Sequence, residues 1–128
     1  MNINVNINSI DAYKEVLSVL ENGYIAGLIS GDFAKIRTSF HQDAIMYGLS
    51  GEKVSGGSID NLVAYIEKYG PSKNMKFHLD VLHMTTTMAI VRIELENAAD
   101  GGNYTDYHSF IKTDGKWLII AKLFHLYD

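Results

Sequence analysis

The chain has 128 residues, with 11 basic and 15 acidic side chains for a formal charge of -4, and it contains no cysteine. That length buries a core without staples, and with no repeat or linker-like tract the whole of 1–128 reads as a single domain. The acid excess argues against nucleic acid and anionic membrane as partners, and the missing cysteine excludes disulfides and thiolate metal sites.

Residues 1–8, Met-Asn-Ile-Asn-Val-Asn-Ile-Asn, alternate polar and apolar side chains and read as an extended or loose arm. They lack the basic and apolar regions of a signal peptide, and no apolar run reaches the length of a membrane span, so the expected compartment is the cytoplasm. A first helix is expected from Asp11 to Ser30. Leu17, Leu20, Tyr24 and Leu28 form its apolar stripe, and Ser9 or Asp11 caps its start. Gly31 suits a left-handed helix end, and Asp32 caps a short second helix with Phe33, Ile36 and Phe40 on its buried face. Ala44 to Leu49 reads as a strand and Glu52 to Ser55 as a poorer one, ended by Gly56-Gly57. Ser58 caps a third helix with Ile59, Leu62, Val63 and Ile66 as its stripe, and Gly70-Pro71 stops it.

Beyond Pro71 the period changes from helical to alternating. Phe77, Leu79 and Val81 alternate with His78 and Asp80, and Ala89, Val91, Ile93 and Leu95 with Ile90, Arg92 and Glu94. Two further strands, Tyr104 to Thr113 and Lys116 to Tyr127, meet at Asp114-Gly115, a strong hairpin signal. Helices first and an antiparallel meander last is an α+β pattern. The final strand is apolar on both faces through Trp117, Leu118, Ile119, Ile120, Ala121, Leu123 and Phe124. One face covers the helices; the other needs a cover, for which a homodimer through Tyr107, Ser109, Ile111, Ile119 and Leu123 is the simplest answer. The alternative cover is the N-terminal arm.

Three stretches carry a family resemblance: the break Gly31-Asp32-Phe33, the strand entry Phe40-His41-Gln42-Asp43-Ala44, and the run Asp106-Tyr107 to Lys112-Thr-Asp-Gly-Lys-Trp117 and on to Lys122. In this order they resemble the nuclear transport factor 2-like superfamily, which includes polyketide-cyclase-like and ketosteroid-isomerase-like proteins. The last run is most similar to its branch described as "putative lumazine-binding". The resemblance covers the chain from about Tyr13 onward. It implies a cone-shaped, cystatin-like α+β fold, three N-terminal helices on a curved, mostly antiparallel sheet, with a pocket at the open end. Homodimers are common in that superfamily. Ketosteroid isomerases place a tyrosine donor at the position of Tyr24, but their aspartate base falls on Gly48. Their donor carboxyl falls near Tyr107 or His108, neither of which is one. Steroid isomerisation by that mechanism is therefore excluded.

The hairpin register decides which polar residues face the pocket. A two-residue turn pairs Thr113 with Lys116; a three-residue turn pairs Lys112 with Lys116 and sets Asp106 opposite Lys122, His108 opposite Ile120. The second is expected, because it places opposite charges across the strands. The pocket wall is then Asp106, His108, Phe110, Ile120, Lys122 and Phe124, joined by Tyr24 and Tyr47. Asp106, His108 and Tyr24 are the candidate catalytic groups, and Tyr24, Tyr47, Phe110, Ile120, Lys122 and Phe124 the candidate ligand contacts. The competing reading is structural: an Asp–Lys pair that fixes register, a satisfied core histidine, tyrosines that fill space. The five histidines show no short chelating spacing, so no metal is expected, and no phosphate loop or other cofactor motif is visible. Two functions remain open. One is a cofactor-free acid/base isomerase, cyclase or dehydratase acting on a planar small molecule. The other is a non-catalytic dimerisation or ligand-carrier domain, pteridine (lumazine) binding included.

Overall fold

The computed structural model describes residues 10–128, so the expected arm at 1–8 and the Ser9 cap lie outside the described residues. Where one first helix was expected there are three consecutive segments: α1 (Ile10–Val19), a π-helical turn (Leu20–Ile25) and α2 (Ala26–Ser30). The buried stripe is Val16, Leu20, Tyr24 and Leu28, with Leu17 only half-buried. Gly31, at φ 71°, ends α2 in the left-handed conformation that a side chain disfavours. Asp32 then caps α3 (Phe33–Arg37), its carboxylate accepting from Lys35 N–H at 3.1 Å.

β1 (Phe40–Ser50) starts earlier than expected, and Phe40 pairs with Ile119 instead of extending α3. Its first residues leave the ladder between Phe40 and Ile45. Arg37 accounts for this, because its guanidinium donates to the carbonyls of Phe40, His41 and Gln42 at 3.2, 3.0 and 3.0 Å. β2 (Lys53–Ser58) runs straight through Gly56-Gly57, which do not break it: Gly56 pairs with Tyr47 and Gly57 with Met46. A side chain at Gly56 would run into the carbonyl oxygen of Met46, so glycine is what lets the two backbones approach. The third helix begins as a 3-10 turn (Ile59–Leu62), with Ser58 accepting from Asp60 N–H at 3.1 Å, and continues as α4 (Val63–Tyr69).

β3 (Lys76–Met84), β4 (Met88–Glu96), β5 (Tyr104–Thr113) and β6 (Lys116–Leu126) complete a six-stranded sheet of order β2-β1-β6-β5-β4-β3. Among the described residues, only the β1–β6 pairing is parallel. Register shifts interrupt β1, β3 and β6, and such bulges bend the strands that carry them. The result is an open, curved sheet whose concave face packs on the helices. The core runs along that face through Val91, Ile93, Phe110 and Ile119 and meets Val16, Leu20 and Ile36 from the helices. The bulge in β3 falls at Leu82, so His78 and His83 lie on one face and not on opposite ones.

The β5–β6 hairpin departs from expectation in an instructive way. The turn is the two-residue one: Thr113 pairs with Lys116, and Asp114 and Gly115 have φ 52° and 75°, the positive values of a type I′ turn. On that register alone, Lys122 would face outward. A bulge intervenes between Phe110↔Ile119 and Ser109↔Ala121, leaving Ile120 without a partner and inverting the parity of everything after it. Ile119, on the turn side of the bulge, is in the core by the two-residue register rather than on the outer face, and Lys122, beyond the bulge, returns to the inner face opposite His108, with Asp106 opposite Phe124.

Candidate active site

β5 and β6 supply the polar groups on the concave face. Asp106 and His108 are two residues apart on β5 and share a face because of the strand's period of two; the bulge aligns Lys122 beside them. All three are buried. From the other side, the π-turn presents Tyr24, whose hydroxyl donates to Asp106 Oδ2 at 2.7 Å. His108 Nε2 reaches the same oxygen at 3.2 Å. Among the described residues, the second carboxylate oxygen, Oδ1, has no hydrogen-bond partner, and neither has His108 Nδ1.

The π-turn exists because of Ser39. Its buried hydroxyl donates to the carbonyl of Val19 at 2.6 Å and accepts from Tyr24 N–H at 2.8 Å. It is thus wedged into the helix ladder between the groups that an i→i−5 bond would join. Gly23 makes room for that wedge, since a side chain there would collide with the Ser39 hydroxyl.

The four groups differ in charge. Burial pushes the Asp106 carboxyl up, but the Lys122 charge and the hydrogen bonds from His108 and Tyr24 outweigh it and hold the group below the usual carboxylate range. Burial pushes His108 below its ordinary value, and Asp106 only partly opposes this. Burial and then the neighbouring Asp106 charge push the Tyr24 phenol well above its usual range. Lys122 is lowered by burial and partly restored by Asp106. At neutral pH the site therefore holds an anionic Asp106 with two neutral donors, His108 protonated on Nε2 and Tyr24. Lys122 Nζ sits 5.4 Å from the centre of the Tyr24 ring and 5.3 Å from that of Phe124.

Asp106, Lys122, Tyr24 and Phe124 line one cavity of about 230 Å³, completed by apolar side chains such as Met46 and Leu95. Tyr65 and Tyr104 also line it, and both donate to Asp100, at 3.0 and 2.6 Å. Asp100-Gly101-Gly102 is therefore more than the plain turn it resembles in sequence. Of the sequence candidates, the fold brings together Tyr24, Asp106, His108, Lys122 and Phe124. The His108 ring is tilted 57° against the Tyr24 ring with centroids 4.8 Å apart, and His108 does not line the cavity. Phe110 is in the core, Ile120 is the bulged residue, and Tyr47 stands on the outer face, 42 % exposed; none of the three lines the cavity. Asp106 places a carboxyl beside Tyr24, next to the positions of Tyr107 and His108 where the resemblance put the isomerases' donor acid, and a side chain at Gly48 would run into the Phe124 ring. Among the described residues, no group of three or more His, Asp or Glu side chains is placed to hold a metal ion, and no helix is long and apolar enough to cross a membrane. Ser39, Tyr65 and Asp100 went unnoticed in the sequence, where only a polar residue next to a strand or a helix stripe marks them.

Comparison with known proteins gives three kinds of match. The family profile described as "putative lumazine-binding" fits residues 11–125. An enzyme of Cladobotryum sp. named aldolase FrzH is 38% identical over 104 residues, 81% of this chain and 83% of that protein. Among solved structures, an NTF2-like protein of unknown function from Shewanella baltica OS155 superposes with a TM-score of 0.89 at 26% identity, covering 96% of this chain and 99% of that one. A second, from Methylobacillus flagellatus KT, gives a TM-score of 0.87 at 32% identity, covering 94% and 95%.

Proposed function

The chain belongs to the "putative lumazine-binding" family of the nuclear transport factor 2-like superfamily, and on that premise we propose that it is a cofactor-free acid/base catalyst acting beside a carbonyl group. The observation that carries this reading is Asp106: a buried carboxylate, kept ionised, on a cavity wall, with one oxygen free of any partner. A carboxylate in that state takes a proton from the carbon next to a carbonyl. The resulting carbanion equivalent either attacks a second carbonyl, as in an aldol reaction, or is reprotonated elsewhere, as in an isomerisation. Tyr24 and His108 hold the carboxylate through Oδ2, and Lys122 meets the carbonyl end of the substrate. The name of the Cladobotryum relative supports carbonyl chemistry, and the cavity, below the roughly 300–1,000 Å³ of drug-sized pockets, suits a small compound.

The test is proton exchange. Phenylacetone in deuterated buffer should lose its α-proton signals faster with the protein than without it, and Asp106→Asn should reduce that rate by about 10²–10⁴-fold. Exchange no faster than that of the variant would turn the reading over to its alternative, a ligand carrier without chemistry. The family's description favours a pteridine as the cargo in that case, and calorimetry with lumazine would decide it. A homodimer is part of the same proposal. The outer sheet face exposes Tyr47, Leu49, Val54, Tyr107 and Leu123 around a shallow concavity.

A further inference from the structure

We infer that Lys122 is a covalent amine of this site, forming a Schiff base with a small aldehyde or ketone that enters the cone. The inference rests on the carbonyl reading above and specifies how that substrate is held. Lysine is rarely buried without a partner. Here it is 7 % exposed, lines the cavity, and among the described residues its Nζ makes neither a hydrogen bond nor an ion pair. A lysine serving only structure would close a contact with Asp106, two positions away on the same wall. Instead the two heads feel each other's charge without meeting, and each keeps bonding capacity to spare. Both residues line the same small, mostly apolar chamber. An occupant carrying a carbonyl carbon and an acidic α-proton fits both.

The aromatic flanks fit the same chemistry. The Tyr24 and Phe124 ring faces attract a cation but give no hydrogen bond, and burial favours the neutral amine that is the nucleophile. The amine adds to the carbonyl carbon, forming a C–N bond while the carbonyl oxygen takes up a proton. A proton from solvent then lets the carbinolamine lose that oxygen as water, leaving an iminium whose positive charge sits between the two rings. Asp106 removes the α-proton, and the electron pair passes into the C–N unit as an enamine. The enamine carbon attacks a second carbonyl, whose oxygen takes back the proton held by Asp106, and addition of water to the iminium releases the hydroxy-carbonyl product and restores the free lysine. No oxidant or reductant is consumed.

Reductive trapping tests this. The wild-type chain is incubated with benzaldehyde and sodium cyanoborohydride, which reduces an iminium much faster than the aldehyde, and the adduct is located by peptide mass mapping. Lys122 should be alkylated faster than any other lysine, because the cavity holds the aldehyde beside it and burial favours its neutral form. Lys122→Met, checked for an unchanged fold by circular dichroism, should lose that fast adduct and keep only slow surface labelling. Labelling at equal rates over the surface lysines would overturn the inference, and the mapping on the wild-type chain gives this answer whether or not the variant folds. If trapping fails while phenylacetone still exchanges its protons, the amine role falls and the acid/base reading survives. If both fail, both fall.

Discussion

Asp106 places two neutral donors on one oxygen and leaves the other empty, an arrangement that costs stability when protons are plentiful. Both Asp106 and His108 have folded-state values below their ordinary ones, so the unfolded chain binds more protons than the native one as pH falls. The stability linked to each is present above its ordinary value and is lost as pH drops through its folded value. The loss should begin below the ordinary histidine value of 6.5 and deepen through the carboxylate value of 3.8. Urea midpoints measured between these limits should fall steadily in the wild type. His108→Leu should flatten the upper part of the fall and, by removing one of the donors to Asp106, also change the lower part; an unchanged profile would mean that His108 is not held neutral. These side chains were legible in the sequence because β5 alternates cleanly. Tyr47 was not. Ala44, Met46 and Gly48 point inward while Ile45, Tyr47 and Leu49 point outward, and with both sets largely apolar the parity of β1 has no signature.

The helix that carries Tyr24 is shaped by one hydroxyl and one missing methyl. Removing the hydroxyl in Ser39→Ala strands the Val19 carbonyl and the Tyr24 amide, at about 1–3 kcal/mol. Gly23→Ala drives a methyl against that hydroxyl, for a similar overpacking cost of about 1–3 kcal/mol. Because the two changes meet at the same atom, they should not add. With the hydroxyl gone, the new methyl has Ser39 Cβ at 3.3 Å and Thr38 Oγ1 at 3.0 Å as its nearest neighbours, both tight but tolerable. A double-mutant cycle by chemical denaturation should show Gly23→Ala costing less in the Ser39→Ala background, with coupling of about 0.5–3 kcal/mol. Additive costs would mean that the hydroxyl is not the wedge. Stripe periodicity announced this helix but not its π-turn, since that turn depends on a residue 15 positions away from Tyr24. The β5–β6 hairpin teaches the same lesson. Asp114-Gly115 announces a turn, yet the face of Lys122 depends on a bulge at Ile120 that no local pattern marks, in a strand apolar on both sides.

For the whole molecule, that two-sided strand is what asks for a second copy. The inner face is filled by the helices, so the question falls on the outer one, where Leu123 is 57 % exposed and Leu49 56 %, with Tyr47 and Tyr107 beside them. The two-residue turn removes Ile119 from the surface expected from sequence, and β1 adds Tyr47 and Leu49, so the patch is shifted toward the β1–β6 seam rather than abolished. Among the described residues, no Asp, Glu, Lys or Arg side chain lines the concavity between Tyr47, Val54, Tyr107 and Leu123, where His125 is the one imidazole, so a copy turned by a two-fold axis meets a mostly apolar surface. Wild-type protein should therefore sediment as a dimer at tens of micromolar. Leu123→Glu places a carboxylate at the centre of that contact, where pairing would bury it without a partner, and should give monomer. The side chain points away from the cavity, so trapping at Lys122 should survive in the monomer. A wild type that sediments as a monomer would show that the exposed face is simply tolerated. A dimer unaffected by Leu123→Glu would put the interface elsewhere on the chain.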